Sequence, residues 1–190
     1  DAFIYVISIG MYFLSQKRFN LTSKTKQWLI LTEFLLPLLY FTLALLILST
    51  FGEGGMVSRF DAFLLKDENG ILAVFKNLVL HPSFAISHLF MAKKLGYLFL
   101  MLAPMCFLPL LQRNWSNYFL ALPLVVINLL PDWPYQYDIG FQYSYGSGAL
   151  LFIMALLALE DLKLHKHINE KMVISFIFVG MIFSGTILHR

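Results

Sequence analysis

The sequence predicts an all-α membrane protein, a polytopic bundle of about six transmembrane helices in a single domain over residues 1–190. Two observations predict this class. Hydrophobic residues make up 59% of the chain and charged residues only 13%, whereas soluble domains average about 45–50% apolar and about 25% charged residues. The apolar residues also group into long runs between short charged segments. A soluble globule of this size cannot bury so much apolar surface, and a disordered chain would not contain it.

Six apolar segments are predicted to cross the bilayer, since a hydrocarbon core of about 30 Å needs roughly 20 helical residues. These spans are residues 2–16, 28–51, 95–111, 115–131, 139–159 and 172–188. Prolines within them are tolerated because neighbouring helices can satisfy the freed carbonyl groups. The first span is short and follows Asp1 directly, without a basic leader. We therefore interpret the sequence as a fragment of a longer protein.

Basic residues orient these spans in the cell membrane. Loops 17–27, 112–114 and 160–171 carry Lys and Arg close to the predicted span ends, which predicts that all three loops are cytoplasmic. Loop 132–138 has no Lys or Arg. Loop 52–94 has five, but they are spread over its length and offset by four acidic residues. Long loops weigh little in this rule, so both of these loops are predicted to be extracytoplasmic.

The long outer loop is predicted to contain an amphipathic helix. Its apolar residues recur at helical spacing and would share one face: Ile71, Leu72, Phe75, Leu78 and Val79. Lys76 and His81 interrupt the run, so a further span is disfavoured. A helix, Pro82 and a second helix lying in the membrane interface fit the pattern better.

The stretch 132–145 combines six aromatic residues with two acids. Aromatic faces stack on sugar rings or prenyl groups, while carboxylates and amides hold hydroxyl groups or a cation, as a ligand site requires. An interfacial aromatic belt explains the same composition, and both interpretations stay open. The candidate substrate-binding residues here are Asp132, Trp133, Tyr135, Tyr137, Gln142 and Tyr143.

Two further acids have alternative interpretations. Asp1 begins a span on the predicted outer side, where its carboxylate is either a base or an exposed residue favoured by the helix dipole. Glu33 lies inside the second span, and intramembrane acids are functional candidates. Single Cys106 excludes a disulfide framework and a cysteine metal cluster, and no metal site is predicted. The net charge of +3 is too small to indicate nucleic-acid binding.

The order of several motifs resembles a family of bacterial and archaeal multi-pass membrane proteins, domain of unknown function 2079. Of the three stretches that carry the resemblance, the first is Asp1-Ala2-Phe3. The second runs from Lys94 to Leu98 and continues through Pro104 to residues 107–111. The third runs from Leu122-Pro123 through Asn128-Leu129-Leu130 to Tyr135-Gln136 and residues 141–144. They extend over most of the chain, which would be the C-terminal part of a family member. Gly140 and Gly146-Ser147-Gly148 stand where members often have His and Pro.

That family is similar to the C-type membrane glycosyltransferases, which take sugar from a polyprenyl-phosphate carrier on the outer face. The resemblance implies that Asp1 is a second outer acid and that 132–143 forms a lid over the substrate groove. The principal catalytic acid would lie in a first outer loop that precedes this chain.

A glycosyltransferase is therefore the leading functional hypothesis. Asp1 and Asp138 are the predicted catalytic carboxylates, and Lys93 and Lys94 would hold the departing phosphate. The polyprenyl-phosphate sugar is the donor and the lipid bilayer is the partner, while a divalent cation and the oligomeric state are left open. The alternatives are a transporter or flippase for a lipid-linked or small polar substrate, and a non-catalytic membrane scaffold. A transporter would be marked by paired intramembrane charges or by broken helices at matching positions in two halves. The sequence has one acid within a predicted span and no internal repeat, which counts against a transporter.

Overall fold

The computed structural model describes residues 1–51, 58–66, 68–164 and 169–188. This part of the chain is helical and contains no strand, which confirms the predicted all-α class. The α-helices are α1 Ala2–Ser15, α2 Ser23–Ile30, α3 Leu36–Phe51, α4 Ile71–Leu80, α5 Pro82–Leu89, α6 Ala92–Leu102, α7 Tyr143–Leu164 and α8 Glu170–Leu188. Two π-helical turns, Leu31–Leu35 and Leu124–Leu129, and several 3₁₀ turns connect them.

Among the described residues, two helical segments are long and apolar enough to cross a membrane, Ser23–Leu48 and Tyr143–Lys163. Pro82–Leu89 and Ala92–Met105 would make a third if they form one broken span, because they meet at a bend of 59°. At other predicted spans the apolar helical runs among these residues are shorter, namely Ala2–Ser15, Trp115–Leu129 and Val173–Ile182. The membrane class therefore holds, whereas the predicted number of about six spans is not confirmed.

The predicted span 95–111 is not one continuous helix. Helix α6 ends at Leu102, and Cys106 and Phe107 adopt left-handed conformations with φ of 50° and 59°. Pro104 and Pro109 each open a 3₁₀ turn, Ala103–Met105 and Leu108–Leu110. Proline lacks a backbone donor and clashes with the preceding turn of an α-helix. Two prolines five residues apart therefore stop α6 and fold the chain back.

Glu33 lies in the π-helical turn that joins α2 to α3. The Leu36 N–H bonds the Leu31 carbonyl, which inserts one extra residue into the helix just before Pro37. This turn packs tightly on α1, since a Cβ at Gly10 would lie only 2.5 Å from the Cβ of Glu33. Glu33 is thus held at a helix contact, and π turns frequently mark functional positions.

The core lies between α1, α6, the 115–129 segment and α7. Tyr12, Tyr97, Leu124 and Met154 are buried representatives of these four elements. By contrast, the α2 to α3 segment exposes most of its apolar side chains, although Phe41 stacks on Phe3 of α1 at 4.1 Å. A helix that is apolar all round and exposed in the isolated chain suits contact with hydrocarbon.

Helices occupy both sides of Pro82, as the sequence predicts. In α4, Leu72, Phe75 and Val79 are exposed apolar residues, while Val74 is buried. Lys76 Nζ lies 2.5 Å from Glu68 Oε1 and ties α4 to the preceding loop. The interfacial position of α4 stays a prediction.

Three of the charged loops meet at one end of the molecule. Gln16 at the end of α1 donates to Asn117 Oδ1 at 2.6 Å and accepts from Asn114 at 2.8 Å. Arg18 lies 3.7 Å from Glu160 near the end of α7. We call this the Gln16 end. The loops predicted to be cytoplasmic therefore share one end, although His165, Lys166 and His167 fall outside the described residues.

Candidate functional site

A cavity of about 360 Å³ lies at the opposite end, between α1, α3, α4 and the 122–130 segment. Its walls are apolar and include Phe3, Phe41 and Ile127. Among the described residues that line it, the polar ones are Asp1, Arg59 and Gln136. Ligand pockets typically have volumes of about 300–1,000 Å³, mostly apolar walls and a few polar groups that orient the ligand. The cavity has this character.

Arg59 brings several of the predicted site residues together. Its Nη1 lies 3.8 Å from Asp1 Oδ2, and its Cζ lies 4.2 Å from the ring centroid of Trp133 and 5.4 Å from that of Tyr143. The Arg59 carbonyl also accepts a hydrogen bond from the Asp132 N–H at 2.8 Å. Cation–π contacts of this kind are attractive, more so where water is excluded. We call Asp1, Arg59, Trp133 and Tyr143 the Arg59 cluster.

The loop beneath the Arg59 cluster is fixed by buried hydrogen bonds. The Gln136 N–H donates to the Trp133 carbonyl at 2.9 Å and closes the 3₁₀ turn Pro134–Tyr137. Asn128 Nδ2 donates to the Gln136 carbonyl at 2.6 Å and to the Tyr143 carbonyl at 3.1 Å. Asn128 Oδ1 accepts from Ser147 Oγ at 2.6 Å. One buried amide thus joins the 124–129 turn, the outer loop and α7.

Lys94 does not line the cavity. It is fully buried, and its Nζ donates to the Leu129 carbonyl at 2.5 Å and lies 5.3 Å from the centroid of the Tyr137 ring. His88 Nε2 is 4.0 Å from Asp132 Oδ1 and has no hydrogen-bond partner among the described residues. Burial, and secondarily the Asp132 carboxylate, raises the pKa of Tyr137.

The remaining predicted residues lie on the surface near the loop. Asp138 is exposed, and its Oδ1 accepts from the Gly140 N–H at 2.9 Å, an arrangement that stabilises the turn before α7. Tyr135 packs on Trp133 and on Phe141, with ring centroids 5.4 and 4.5 Å apart. Lys93 and Gln142 are exposed. None of these four predicted residues, Asp138, Tyr135, Lys93 and Gln142, lines the cavity.

Sequence reasoning missed Arg59, Gln136 and Asn128 as site residues. Arg59 was discounted because charges in long loops say little about orientation, yet it is the single Arg in loop 52–94. A guanidinium stacks on aromatic rings better than an ammonium does. The presence of one Arg in one predicted outer loop and of several aromatic residues in the other could therefore have indicated this contact. Gln136 and Asn128 carried no chemical motif, and only the resemblance singled them out.

No group of three or more His, Cys, Asp or Glu side chains that could hold a metal ion occurs within the described ranges. The polar groups at the cavity are instead one carboxylate, one guanidinium and one amide, from Asp1, Arg59 and Gln136. This set suits an anionic or hydroxyl-bearing head group, with the apolar walls around an attached hydrocarbon chain.

The described residues therefore define a helical membrane protein with an apolar cavity that ends in a charged, aromatic-lined head. The chain belongs to the family described as predicted membrane protein (DUF2079), which matches residues 1–189. This match confirms the family resemblance and the membrane class. Comparisons with curated proteins and with solved structures found no match. The similarity to C-type glycosyltransferases stays a prediction.

Proposed function

We propose that this protein is part of a membrane glycosyltransferase that takes sugar from a polyprenyl-phosphate carrier on the extracytoplasmic face. The observation that supports this proposal is the composition of the cavity, in which Asp1 and Arg59 lie at the head of otherwise apolar walls. A lipid-linked sugar has matching parts, namely a hydrocarbon chain, a phosphate and hydroxyl groups. At about 360 Å³ the cavity is near the lower end of ligand pocket sizes. The cavity would hold the part of the lipid's hydrocarbon chain that is next to the phosphate, and the rest of that hydrocarbon would lie in the bilayer.

In the proposed reaction, Asp1 removes a proton from an acceptor hydroxyl. The resulting oxygen bonds to the anomeric carbon as the bond from that carbon to the phosphate oxygen breaks. The electron pair leaves with polyprenyl phosphate, and the anomeric configuration inverts. A positioned general base contributes roughly 10²–10⁴-fold to such a step.

Arg59 takes the role of phosphate binding in this proposal. Charge accumulates on the phosphate as the sugar departs, and a fixed guanidinium stabilises that charge where water is excluded. Lys94 already donates to the Leu129 carbonyl, and Lys93 is exposed away from the cavity lining. They would contribute through long-range electrostatics. Asp138 is proposed as a second catalytic acid, because it lies in the loop that, by the family resemblance, would form a lid over the substrate groove.

The proposed orientation places the Arg59 cluster outside the cell and the Gln16 end in the cytoplasm. The basic residues of the Gln16 end support it, because Lys17 and Arg18 precede α2. Cysteine labelling in intact cells tests the orientation separately. A cysteine at exposed Asp138 should react with a membrane-impermeant reagent, whereas one at exposed Lys17 should react only after permeabilisation.

A deletion strain provides the direct test of the reaction. Mass spectrometry should find a polyprenyl-phosphate sugar in excess and a cell-envelope glycan that lacks one sugar. Full-length protein should restore both, and its Arg59→Gln variant should restore neither at equal abundance. Unchanged lipid-linked sugars and glycans in the deletion strain would exclude the proposed transferase.

A flippase for a lipid-linked substrate is the second candidate, and the bent helix pair supports it. Pro82–Leu89 and Ala92–Met105 meet at 59°, and broken helices are typical of transport proteins. Vesicles containing the full-length protein distinguish the two functions. A flippase would move a fluorescent polyprenyl-phosphate sugar between leaflets without acceptor, whereas the transferase would consume the donor only when acceptor is present.

A further inference from the structure

Gln136 lies at the wall of the cavity with an unused hydrogen-bond acceptor. Only 1% of the residue is exposed. Its Oε1 is buried and has no hydrogen-bond partner among the described residues. A buried polar atom is unfavourable unless a partner satisfies it. A donor on a molecule in the cavity would supply that partner.

The backbone of Gln136 is fixed on both sides, so the side chain is the adjustable part. Its N–H donates to the Trp133 carbonyl and its own carbonyl accepts from Asn128. The terminal torsion of a Gln side chain is broad, so its hydrogen-bond partner sets the direction of the amide. The fixed backbone of Gln136 thus places this amide at the wall of the cavity.

The same turn also positions Arg59. The Trp133 ring lies beneath the Arg59 guanidinium at 4.2 Å, and the Trp133 carbonyl accepts the Gln136 N–H. A cation and a neutral acceptor thus line the same cavity. Their chemistry differs, because a guanidinium binds anions whereas an amide oxygen accepts a hydrogen bond from a hydroxyl group.

We propose that Gln136 is a specificity-determining residue that accepts a hydrogen bond from a hydroxyl group of the lipid head group, while Arg59 binds its phosphate. This inference rests on the proposed function for the choice of a lipid-linked sugar. The occupant is one amphipathic lipid, because apolar walls require a hydrocarbon chain and the Arg59 guanidinium requires an anion. A lipid phosphate without the sugar would satisfy Arg59 and leave Gln136 Oε1 unpaired.

Two simple lipids separate the two contacts. The full-length protein is placed in phosphatidylcholine nanodiscs, because sugar-based detergents would compete for the site. Dodecyl phosphate probes the anion contact, and dodecyl β-glucoside probes the hydroxyl contact without charge. Binding is measured by the change in tryptophan fluorescence, since the Trp133 ring contacts the guanidinium of Arg59, which lines the cavity.

Gln136→Met should weaken dodecyl β-glucoside binding by about tenfold, the usual effect of one lost hydrogen bond. Dodecyl phosphate binding should change by less than about twofold, which also shows that the cavity is folded. Gln27→Met, at an exposed glutamine in α2, is the matched control and should leave both affinities unchanged.

Gln136→Glu is the second variant, because it keeps an acceptor oxygen and adds a negative charge. It should retain glucoside binding and weaken phosphate binding. The proposal is overturned if Gln136→Met leaves glucoside affinity intact, if it weakens both lipids equally, or if Gln136→Glu loses the glucoside. It is also overturned if neither lipid displaces phosphatidylcholine. Selective binding together with unchanged lipid-linked sugars and glycans in the deletion strain would support this assignment and refute the transferase.

Discussion

The guanidinium of Arg59 lies against the indole ring of Trp133, with 4.2 Å between Cζ and the ring centroid. Arg59 belongs to the long loop before α4, and Trp133 belongs to the short loop before α7. Their contact therefore joins the two loops that the sequence predicts to be extracytoplasmic. It also places the positive charge at the cavity, where Asp1 lies 3.8 Å from Nη1. The Trp133 ring thus packs against the cationic group that lines the cavity.

Replacement of Trp133 should loosen the head of the cavity. We expect Trp133→Leu to lower the free energy of unfolding by about 0.5–2 kcal/mol beyond the effect of lost area, the range for a cation–π contact. Trp133→Phe should lose less, because a smaller ring keeps a π face. The measurement is detergent-induced unfolding of the full-length protein. Trp115→Leu is the control, since Trp115 is 83% exposed, and equal losses at both positions would argue against the contact.

Two glycines in helices should tolerate no added methyl group. A Cβ at Gly146 would lie 2.6 Å from Cζ of Tyr5, and one at Gly10 would lie 2.5 Å from Cβ of Glu33. Gly146→Ala and Gly10→Ala should therefore force α1 away from α7 and from the π-helical turn, at a cost of about 1–3 kcal/mol. Gly10→Ala should cost more, because backbone-linked Cβ atoms cannot swing aside as a ring can.

Gly96→Ala is the matched control for both substitutions. Gly96 is also helical, but its added Cβ meets nothing within 4 Å. This variant should be stabilised by up to about 1 kcal/mol, because alanine is the better helix former. Thermal unfolding in nanodiscs followed by circular dichroism measures all three. A destabilised Gly96→Ala protein, or a neutral Gly10→Ala protein, would contradict the packing described.

The helical class followed from the sequence because it depends on composition and run length, which are local properties. The continuity of each helix did not follow. Pro104 lies in a segment that reads as one apolar span, and tolerance of proline depends on neighbours that the sequence does not reveal. The α6 helix instead ends at Leu102, and the chain turns through Cys106 and Phe107.

Only part of the candidate site could be predicted, because residue type is a local property whereas the packing partner of a side chain is not. The aromatic loop and Asp1 were recognisable by residue type, and both contact Arg59. Lys94 is predicted to hold a phosphate, and in the structure its Nζ donates to the Leu129 carbonyl. A side chain's partner is set by long-range packing, so residue type alone could not separate buried Lys94 from exposed Lys93.

Asn128 should be among the most sensitive polar residues of the fold. It is fully buried and joins the carbonyls of Gln136 and Tyr143 to the hydroxyl of Ser147. Asn128→Leu keeps a similar volume but leaves those three groups without this partner, and each unsatisfied buried group costs about 1–3 kcal/mol. We expect poor folding or a large loss of thermal stability.

The exposed Asn69 gives the control, and Asn69→Leu should change stability by no more than about 0.5 kcal/mol. Ser147→Ala should fall between the two, because it removes one bond and leaves the two carbonyl contacts. An Asn128→Leu protein as stable as Asn69→Leu would show that the hydrogen bonds of Asn128 do not hold the loop.

The link between Glu68 and α4 should depend on pH. Hydrogen bonds, first from Lys76 and then from Asn77, hold the pKa of Glu68 below its usual value of 4.5. Because the folded carboxyl has the lower pKa, its contribution to stability is fully present above pH 4.5 and is lost as the pH falls through the folded pKa. The protection of α4 amides against exchange should therefore fall as the pH is lowered from 4.5 through the folded-state pKa.

Glu68→Gln should remove that dependence and exchange faster at pH 7, since the neutral amide forms weaker bonds with Lys76. Glu160→Gln is the control, because Glu160 pairs with Arg18 at the Gln16 end. An identical pH profile in the wild-type and Glu68→Gln proteins would show that this ion pair does not hold α4.

Replacing Asp1 and replacing Asp138 should slow sugar transfer to different extents. Asp1 lines the cavity beside Arg59, whereas Asp138 is exposed and bonds the Gly140 N–H. In the full-length protein, Asp1→Asn should lower the rate constant for transfer by about 10²–10⁴-fold, the range for loss of a general base. Asp138→Asn should lower it less, because asparagine can keep the turn bond and the side chain lies outside the cavity lining. Single-turnover transfer from a radiolabelled polyprenyl-phosphate sugar measures both, with donor affinity determined separately. A larger loss at Asp138 would move the base to the lid loop, and no loss at either position would remove both carboxylates from the reaction.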